Sequence, residues 1–205
     1  MSISYELRGR RQQKARTREA LIQSTRRLLA AGRTPTVEQA AEAASISRAT
    51  AYRYFPNQRS LLVAAHPEIE TTSLLREGDP DDPEARFHLA VDRLTRIVAE
   101  TEPELRTMLR LSLDRDGAEG EDLLLRQGRA LEWLEDALTP LRGRLSTAAR
   151  RRLALATRSA CGIEALVWLT DVAGLSREDA VEVMRWSGGA LLDGALAEEA
   201  AGGRR

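Results

Sequence analysis

The chain contains little of what most catalytic and metal sites are made of. Its 205 residues include one cysteine and two histidines, and neither His66 nor His88 has Asp, Glu or Cys companions at the spacing of metal ligands. The lone cysteine, Cys161, excludes an internal disulfide framework. No P-loop, GxSxG, HExxH or GxGxxG pattern occurs. The sequence therefore predicts a protein that is not an enzyme and that has no metal site and no cofactor.

Long apolar runs and strand patterns are also missing. No apolar run approaches the roughly 18 residues of a membrane span, and the N-terminal residues lack the apolar region of a secretory signal. No alternation of apolar and polar residues persists over the length of a strand. Apolar residues make up 42% of the chain and charged residues 30%, which is the balance of a globular protein with solvated helix faces. We therefore expect an all-α protein in the cytoplasm, with no membrane partner.

The formal net charge of zero hides a strong asymmetry along the chain. Residues 1–65 carry 12 Lys and Arg against 4 Asp and Glu, a net charge of +8. Residues 66–205 carry 19 against 27, a net charge of −8. A basic module beside an acidic one is typical of a nucleic-acid-binding protein, because the polyanionic duplex is attracted to one end only.

Residues 36–62 read TVEQAAEAASISRATAYRYFPNQRSLL, a pattern that predicts two short helices joined by a tight turn. Thr36 and Gln39 match a capping box at the start of the first helix. Ser47 is suited to cap the second helix, and Pro56 ends it because the residue before a proline is pushed out of the α region. The apolar positions of the first helix follow a 3.6-residue period: Val37, Ala40, Ala41 and Ala44.

At these residues the chain resembles the TetR family of bacterial transcriptional regulators. The likeness covers roughly residues 14–65 and is most specific in ISRATAYRYFPNQRSLL, residues 46–62, where aromatic-x-aromatic-Phe is followed by an Asn-led helix. Family members are dimers with an N-terminal three-helix DNA-binding unit and a larger helical domain that binds an effector and dimerises. The resemblance implies the same plan here, and a repressor that a small apolar effector releases from a palindromic operator in double-stranded DNA.

The second helix of a helix-turn-helix enters the major groove with its N-terminal residues at base edges. Arg48 is the candidate for a bidentate contact to guanine, with a phosphate contact as the alternative. Tyr52 and Tyr54 match family positions that grip phosphates or bases, with core packing as the alternative. Glu38 repels phosphate unless it points away, and Gln58 stands where the family commonly has a lysine. The candidate DNA-binding residues are Thr36, Arg48, Ala49, Thr50, Tyr52, Arg53, Tyr54, Gln58 and Arg59.

Breaks and capping signals divide the chain into four parts. We expect a flexible basic arm at 1–15, a helix-turn-helix DNA-binding domain at 16–65, a helical ligand-binding and dimerisation domain at 66–198, and a flexible tail at 199–205. Gly32 is placed to end the first helix, and Asn57, Asp82 and Ser176 to cap later ones. Helices of the second domain are expected at 83–101, 103–114, 121–142, 147–172 and 176–197.

The second domain offers a candidate effector pocket and a candidate dimer interface. The pocket residues are Met108, Leu109, Leu113, Trp133, Leu134, Cys161 and Trp168, each of which ordinary core packing would also explain. Cys161 is alternatively a redox sensor, if it is exposed and its pKa is low. The resemblance implies that the last two long helices pair with those of a second copy. We expect that the small residues Gly188, Gly189, Ala190 and Gly194 permit close backbone approach there, with a kinked helix end as the alternative.

Two other functions stay open at this point. One is a ligand-binding or scaffolding protein that keeps the helix-turn-helix fold but has weak or nonspecific DNA affinity, a possibility raised by Gln58 and Glu38. The other is a nonspecific DNA compactor, which would show no preference for a palindrome.

Overall fold

The computed structural model of the chain describes residues 3–65, 73–113 and 129–202. These residues are mainly helical and contain no strand, as the all-α prediction requires. A 3₁₀ helix, Thr139–Gly143, follows α7, and a π-helical turn, Trp168–Val172, continues α9. His66 and the first part of the helix predicted at 121–142 lie outside the described residues. The α-helices are α1 (Ile3–Ala30), α2 (Val37–Ala43), α3 (Arg48–Tyr54), α4 (Gln58–Ala65), α5 (Pro83–Glu100), α6 (Glu102–Leu113), α7 (Ala130–Ala137), α8 (Thr147–Ala160), α9 (Ile163–Val167) and α10 (Arg177–Gly202).

Both ends of the chain that we expected to be flexible are helical where the structure describes them. Residues 3–15 form the first half of α1, and α10 continues through Gly202 into the predicted tail. These segments have too few apolar residues for a periodic signal, but they consist largely of good helix formers without an interior proline. Both helices therefore continue beyond their periodic apolar residues, because the flanking residues favour the helix by their intrinsic propensity.

The helix predicted over 147–172 is broken at Cys161 and Gly162, which separate α8 from α9. Gly162 is buried, and a Cβ atom there would lie 1.7 Å from Nη1 of Arg158. The Arg158 guanidinium in turn donates to the Glu164 carboxylate at 3.0 Å. A side chain at position 162 would therefore require the Arg158 guanidinium to move from this ion pair.

The N-terminal unit, α1 to α4, has its own hydrophobic core. Helix α1 packs against α2 and α4, and α2 packs against α3. The Ser24 hydroxyl, fully buried in α1, donates to the Ala40 carbonyl of α2 at 2.9 Å. The largest buried side chains of this core are Leu21, Leu29, Phe55, Leu61 and Leu62.

The C-terminal bundle, α5 to α10, is built around a second core. Helix α10 packs along α5 and α8, while α7 packs against α5 and α8 on the other side. Gly188 makes the α5 contact close, since a Cβ atom there would lie 2.8 Å from Cγ1 of Val91. A Cβ atom on Gly189 would similarly lie 3.1 Å from the His88 ring. The close approach that these two glycines permit is therefore within the chain, whereas we expected it at a dimer interface.

Helix α6 joins the two cores. Met108 is 3% exposed and belongs to the core of the N-terminal unit, although it lies in a helix of the bundle. Two residues further on, Arg110 donates to the Thr34 hydroxyl in the α1–α2 link at 2.7 Å. On the bundle side, Arg106 pairs with Asp171 at 2.6 Å, and Glu102, the first residue of α6, pairs with Arg177 of α10 at 2.6 Å. Helix α6 therefore contacts both cores at once.

One stretch, Thr147–Val172, is long and apolar enough to cross a membrane by length and composition alone. Its broken helix supplies core residues such as Leu153, Ala154 and Leu166, all buried. A core helix passes the same test, so the stretch is weak evidence for a membrane span.

Candidate nucleic-acid interface

The turn between α2 and α3 has a defined geometry. Ser45 adopts φ 55°, in the left-handed region. Its amide donates to the Glu42 carbonyl at 3.0 Å, and the Ile46 amide donates to the Ala41 carbonyl at 2.8 Å. This pair of bonds is the Schellman motif, which usually has glycine at the left-handed position. The turn thus tolerates a side chain where a glycine was expected.

Both helices start with the predicted side-chain caps. The Thr36 hydroxyl accepts from the Gln39 amide at 3.3 Å, and the Thr36 amide donates to the Gln39 side chain at 2.9 Å, which completes the capping box. The Ser47 hydroxyl accepts from the Thr50 amide at 3.3 Å. These caps determine where each helix begins and hence which side chains face outward.

One side of α3 is open to solvent, from its N-terminal residue Arg48 as far as Arg53. Arg48, Ala49 and Arg53 are exposed, and Tyr52 is 43% exposed. Ala51, on the opposite side, is fully buried. We call Glu38, Arg48, Ala49, Tyr52 and Arg53 the outer face of the α2–α3 pair. If Arg48 and Tyr52 were buried, they could not contact a groove of DNA. Both side chains are exposed.

The outer face carries an unexpected hydrogen bond between the two helices. The Tyr52 hydroxyl donates to Oε1 of Glu38. This bond is the main reason that the pKa of Glu38 is lowered. The positive charge of Arg48 lowers it further. The same bond raises the pKa of Tyr52. At neutral pH the pair is therefore a phenol hydrogen-bonded to a carboxylate, beside a guanidinium.

The other candidate DNA-binding residues are less available. Tyr54 and Thr50 are half-buried, and Tyr54 packs against the core of the N-terminal unit. Gln58 donates from Nε2 to the Pro35 carbonyl at 2.9 Å, so it ties the start of α4 to the α1–α2 link. Arg59 is half-buried beside it, while Thr36 is exposed. The structure thus brings five of the nine candidates into the open: Thr36, Arg48, Ala49, Tyr52 and Arg53.

Helix α1 contributes further positive charge. Arg11, Lys14, Arg16 and Arg18 are exposed along it. The Arg18 guanidinium lies over the Phe55 ring, 5.5 Å from its centroid, at the end of α3. A cation over an aromatic face is attracted by the ring quadrupole. The positive charge of Arg18 in α1 therefore lies at the end of α3. No local sequence pattern indicated this contact between residues 18 and 55.

The seven candidate effector-pocket residues do not form one site. Met108 lies in the N-terminal core, while Trp133, Leu134 and Cys161 lie in the core of the bundle. Leu113 and Trp168 are 62% and 58% exposed. The remaining residue, Leu109, is partly buried against the bundle core. Sequence alone cannot separate these groups, because a large apolar residue at helical spacing fits a core, a pocket or an interface equally well.

Cys161 has the character of a core residue. It is fully buried, and its thiol donates to the Met184 carbonyl at 3.2 Å. Burial raises its pKa to about 12. Since the thiolate is the reactive form, these properties argue against the alternative of a redox sensor.

One groove among the described residues is lined mainly by charged side chains. The groove between α5 and α10 has a volume of about 630 Å³ and is lined by charged side chains, among them Arg96, Glu100, Arg177 and Arg185. In the described part of the chain, no three His, Cys, Asp or Glu side chains come together to hold a metal ion. A small apolar molecule is not suited to this groove.

Neither the scan against protein-family models nor the search of curated proteins finds a match for this chain.

Proposed function

We propose that this protein is a cytoplasmic, homodimeric, sequence-specific DNA-binding transcriptional regulator of the TetR type, which acts as a repressor. The observation that carries the proposal is the exposed N-terminal half of α3, with Arg48, Ala49 and Tyr52 open to solvent. It lies in the part of the chain whose net charge is +8. An exposed short helix of this kind fits the major groove, while the surrounding basic residues suit the phosphates.

A second copy is the proposed partner of the C-terminal helices. Seven large apolar side chains are exposed among the described residues, and five of them lie on α8, on α10 or in the π-helical turn after α9. We propose that these five form one surface, which we call the C-terminal apolar face: Leu155, Trp168, Val172, Val183 and Trp186. Two bulky tryptophans at 58% and 73% exposure are costly to leave in water. Burial against the same face of a twin removes this cost and supplies the two DNA-binding heads that a palindrome requires.

The proposed regulation uses α6 as the link between effector and DNA. Two heads must lie about 34–36 Å apart, one helical turn, to engage both half-sites. Because α6 inserts Met108 into the N-terminal core and pairs Arg106 with Asp171 of the bundle, a change in the bundle alters the head spacing. An apolar effector that prefers another spacing releases DNA by population shift.

A gel-shift titration with the DNA upstream of the protein's own gene tests this proposal. We expect tight binding that weakens steeply between two salt concentrations and that exceeds binding to a random duplex. Replacement of Arg48 by Ala should lower discrimination at one base pair in each half-site by about 1–3 kcal/mol. Equal weakening for all sequences would make Arg48 a phosphate contact. No preference for any sequence would refute the regulator.

A scaffolding or ligand-binding protein with weak DNA affinity is the second candidate. One observation favours it: the Gln58 side chain uses one of its two N–H groups on the Pro35 carbonyl, and it is neutral where the family commonly has a lysine. This candidate predicts that the same titration yields only weak binding, without preference over the random duplex.

A further inference from the structure

The hydrogen bond between Tyr52 and Glu38 changes what the outer face can recognise, if the proposed function is correct. The phenol proton is directed at Oε1 of Glu38. The phenol oxygen therefore offers only lone pairs to another molecule. An ionised carboxylate is likewise an acceptor only. Two side chains of the outer face thus act together as one acceptor site.

Such an acceptor site is unsuited to the DNA backbone. Phosphate oxygens are acceptors themselves, and their charge has the same sign as that of Glu38. Tyr52 would have to break its bond to Glu38 before it could donate to a phosphate. Hydrogen-bond donors in the major groove are the cytosine N4 and adenine N6 amino groups. The acceptor site therefore suits a base edge.

Arg48 narrows the choice of base. It lies four residues before Tyr52, and side chains at this spacing are neighbours on one face of a helix. Tyr52 is itself bonded to Glu38, so Arg48, Tyr52 and Glu38 lie along one side of the α2–α3 pair. Arginine is suited to guanine O6 and N7, and a carboxylate to cytosine N4. A donor beside an acceptor site matches the two halves of a G·C pair or two adjacent pairs.

We propose that Glu38, held by Tyr52, accepts a hydrogen bond from the amino group of a cytosine in each operator half-site, next to the guanine that Arg48 contacts. Glu38 and Tyr52 are then specificity residues, and the carboxylate that looked unfavourable for DNA binding selects the base. Adenine also has an amino group in the groove, but its paired donor and acceptor are better matched by Asn or Gln.

Selection from a pool of random-sequence duplexes with the full chain tests this inference. The wild-type protein is expected to select a palindrome with an invariant cytosine in each half-site. Glu38→Gln should reduce the preference for that cytosine about tenfold and leave the other positions unchanged. Tyr52→Phe, which removes the phenol oxygen and keeps the carboxylate, should also reduce it. Equal helix content and thermal midpoints establish that both variants are folded.

Glu42→Gln is the matched control. Glu42 is exposed on the same helix, one turn beyond Glu38, so its replacement removes the same charge without touching Tyr52. If Glu38→Gln merely tightens binding to all duplexes as Glu42→Gln does, Glu38 acts through its charge alone and the inference is overturned. If the wild-type protein selects no sequence at all, the proposed function fails and the inference with it.

An atomic substitution in the DNA gives a second readout. A duplex with pyrimidin-2-one in place of the selected cytosine lacks the N4 amino group. The wild-type protein should lose about tenfold in affinity for it, while Glu38→Gln should lose much less. Equal losses for both proteins would show that the amino group is not read by Glu38.

Discussion

Ser45 bears a backbone conformation that its side chain disfavours. It is the one non-glycine residue with positive φ in the described part of the chain. An L-residue in the left-handed region costs roughly 1–2 kcal/mol. Gly32 holds the same position at the end of α1, where φ is 72° and the Arg33 amide donates to the Leu28 carbonyl at 2.9 Å. The two turns thus form the same motif with different residues.

Replacement of Ser45 by Gly should stabilise the protein. The relief of left-handed strain exceeds the greater entropy of glycine in the unfolded chain, so we expect a net gain of about 0.5–1 kcal/mol. The free energy of unfolding in urea measures it. Gly32→Ser is the matched control and should reduce stability, since serine would have to adopt φ 72° there; its Cβ atom meets nothing within 4 Å, so backbone strain alone acts. A loss of stability in Ser45→Gly would contradict this account.

Local signals predicted single residues well, and contacts between helices could not be predicted. The caps at Thr36, Ser47 and Asp82 all form, because each depends on residues three positions apart. The bond from Tyr52 to Glu38 spans 14 residues. It depends on how α2 and α3 pack, which no local pattern specifies. Part of the candidate site was therefore beyond prediction from the sequence.

At the scale of elements, the spacing of α10 and α5 depends on a glycine. Gly188→Ala places a methyl group 2.8 Å from Cγ1 of Val91, a stiff β-branched side chain in the core. Overpacking should outweigh the gain in helix propensity and destabilise the protein by about 1–2 kcal/mol. Thermal and urea unfolding measure this, and Val91→Ala should rescue it.

Gly194→Ala is the control in the same helix. Nothing lies within 4 Å of its added Cβ atom, so only helix propensity acts on the chain itself. The expected change is a gain of up to about 1 kcal/mol. If both variants shift stability in the same direction, close packing at Gly188 is not the reason for its glycine.

The segment before α5 is held by a carboxylate with a shifted pKa. Asp79 receives two hydrogen bonds from Arg93, and its Oδ2 also accepts from the Arg76 amide at 2.6 Å. The hydrogen bonds from Arg93 are the main cause that lowers the pKa of Asp79 from 3.8 to about 2. Since the folded pKa is below the unfolded value, the stabilisation is complete above pH 3.8 and is lost as the pH falls through about 2.

Asp79→Asn should therefore reduce stability at neutral pH and weaken its decline in acid. Urea midpoints of both proteins at a series of pH values provide the measurement. The difference between wild type and variant should shrink as the pH falls below about 4. Asp81→Asn, at an exposed position of the same segment, is the control. If the stability difference between wild type and Asp79→Asn stays constant with pH, protonation of Asp79 does not contribute to the loss of stability in acid.

At the scale of the whole molecule, charge and helix order indicated an N-terminal basic unit followed by a bundle. The described residues form two hydrophobic cores, and Met108 of α6 belongs to the first core rather than to a pocket of the second. The last two long helices were expected to pair with a second copy, but their apolar residues Leu153, Met184 and Leu192 are buried within the chain. Sequence periodicity identifies the apolar face of a helix, but it does not show whether another helix of the same chain or a second copy covers that face.

The exposed C-terminal apolar face leads to a prediction about assembly. Trp186 is 73% exposed, and on the surface of α10 it continues into a stripe of exposed positions at helical spacing, Val183, Trp186, Ala190, Gly194 and Ala197. The small residues in this stripe permit a second helix to approach closely, and the tryptophan supplies most of the apolar area. A buried aromatic anchor of this kind typically contributes about 2 kcal/mol or more to association.

Trp186→Asp should therefore convert a dimer into a folded monomer. We expect the dimer dissociation constant to rise at least about thirtyfold, measured by sedimentation velocity over a range of concentrations. Helix content should be retained, because the Trp186 side chain contributes little to the core of its own chain. Leu113→Asp, at a 62% exposed position of α6 outside the C-terminal apolar face, should leave the dimer intact.

A monomer must also lose its preference for two half-sites over one, because the second head no longer binds at the effective concentration that dimerisation provides. A Trp186→Asp protein that remained dimeric and kept this preference would place the interface elsewhere.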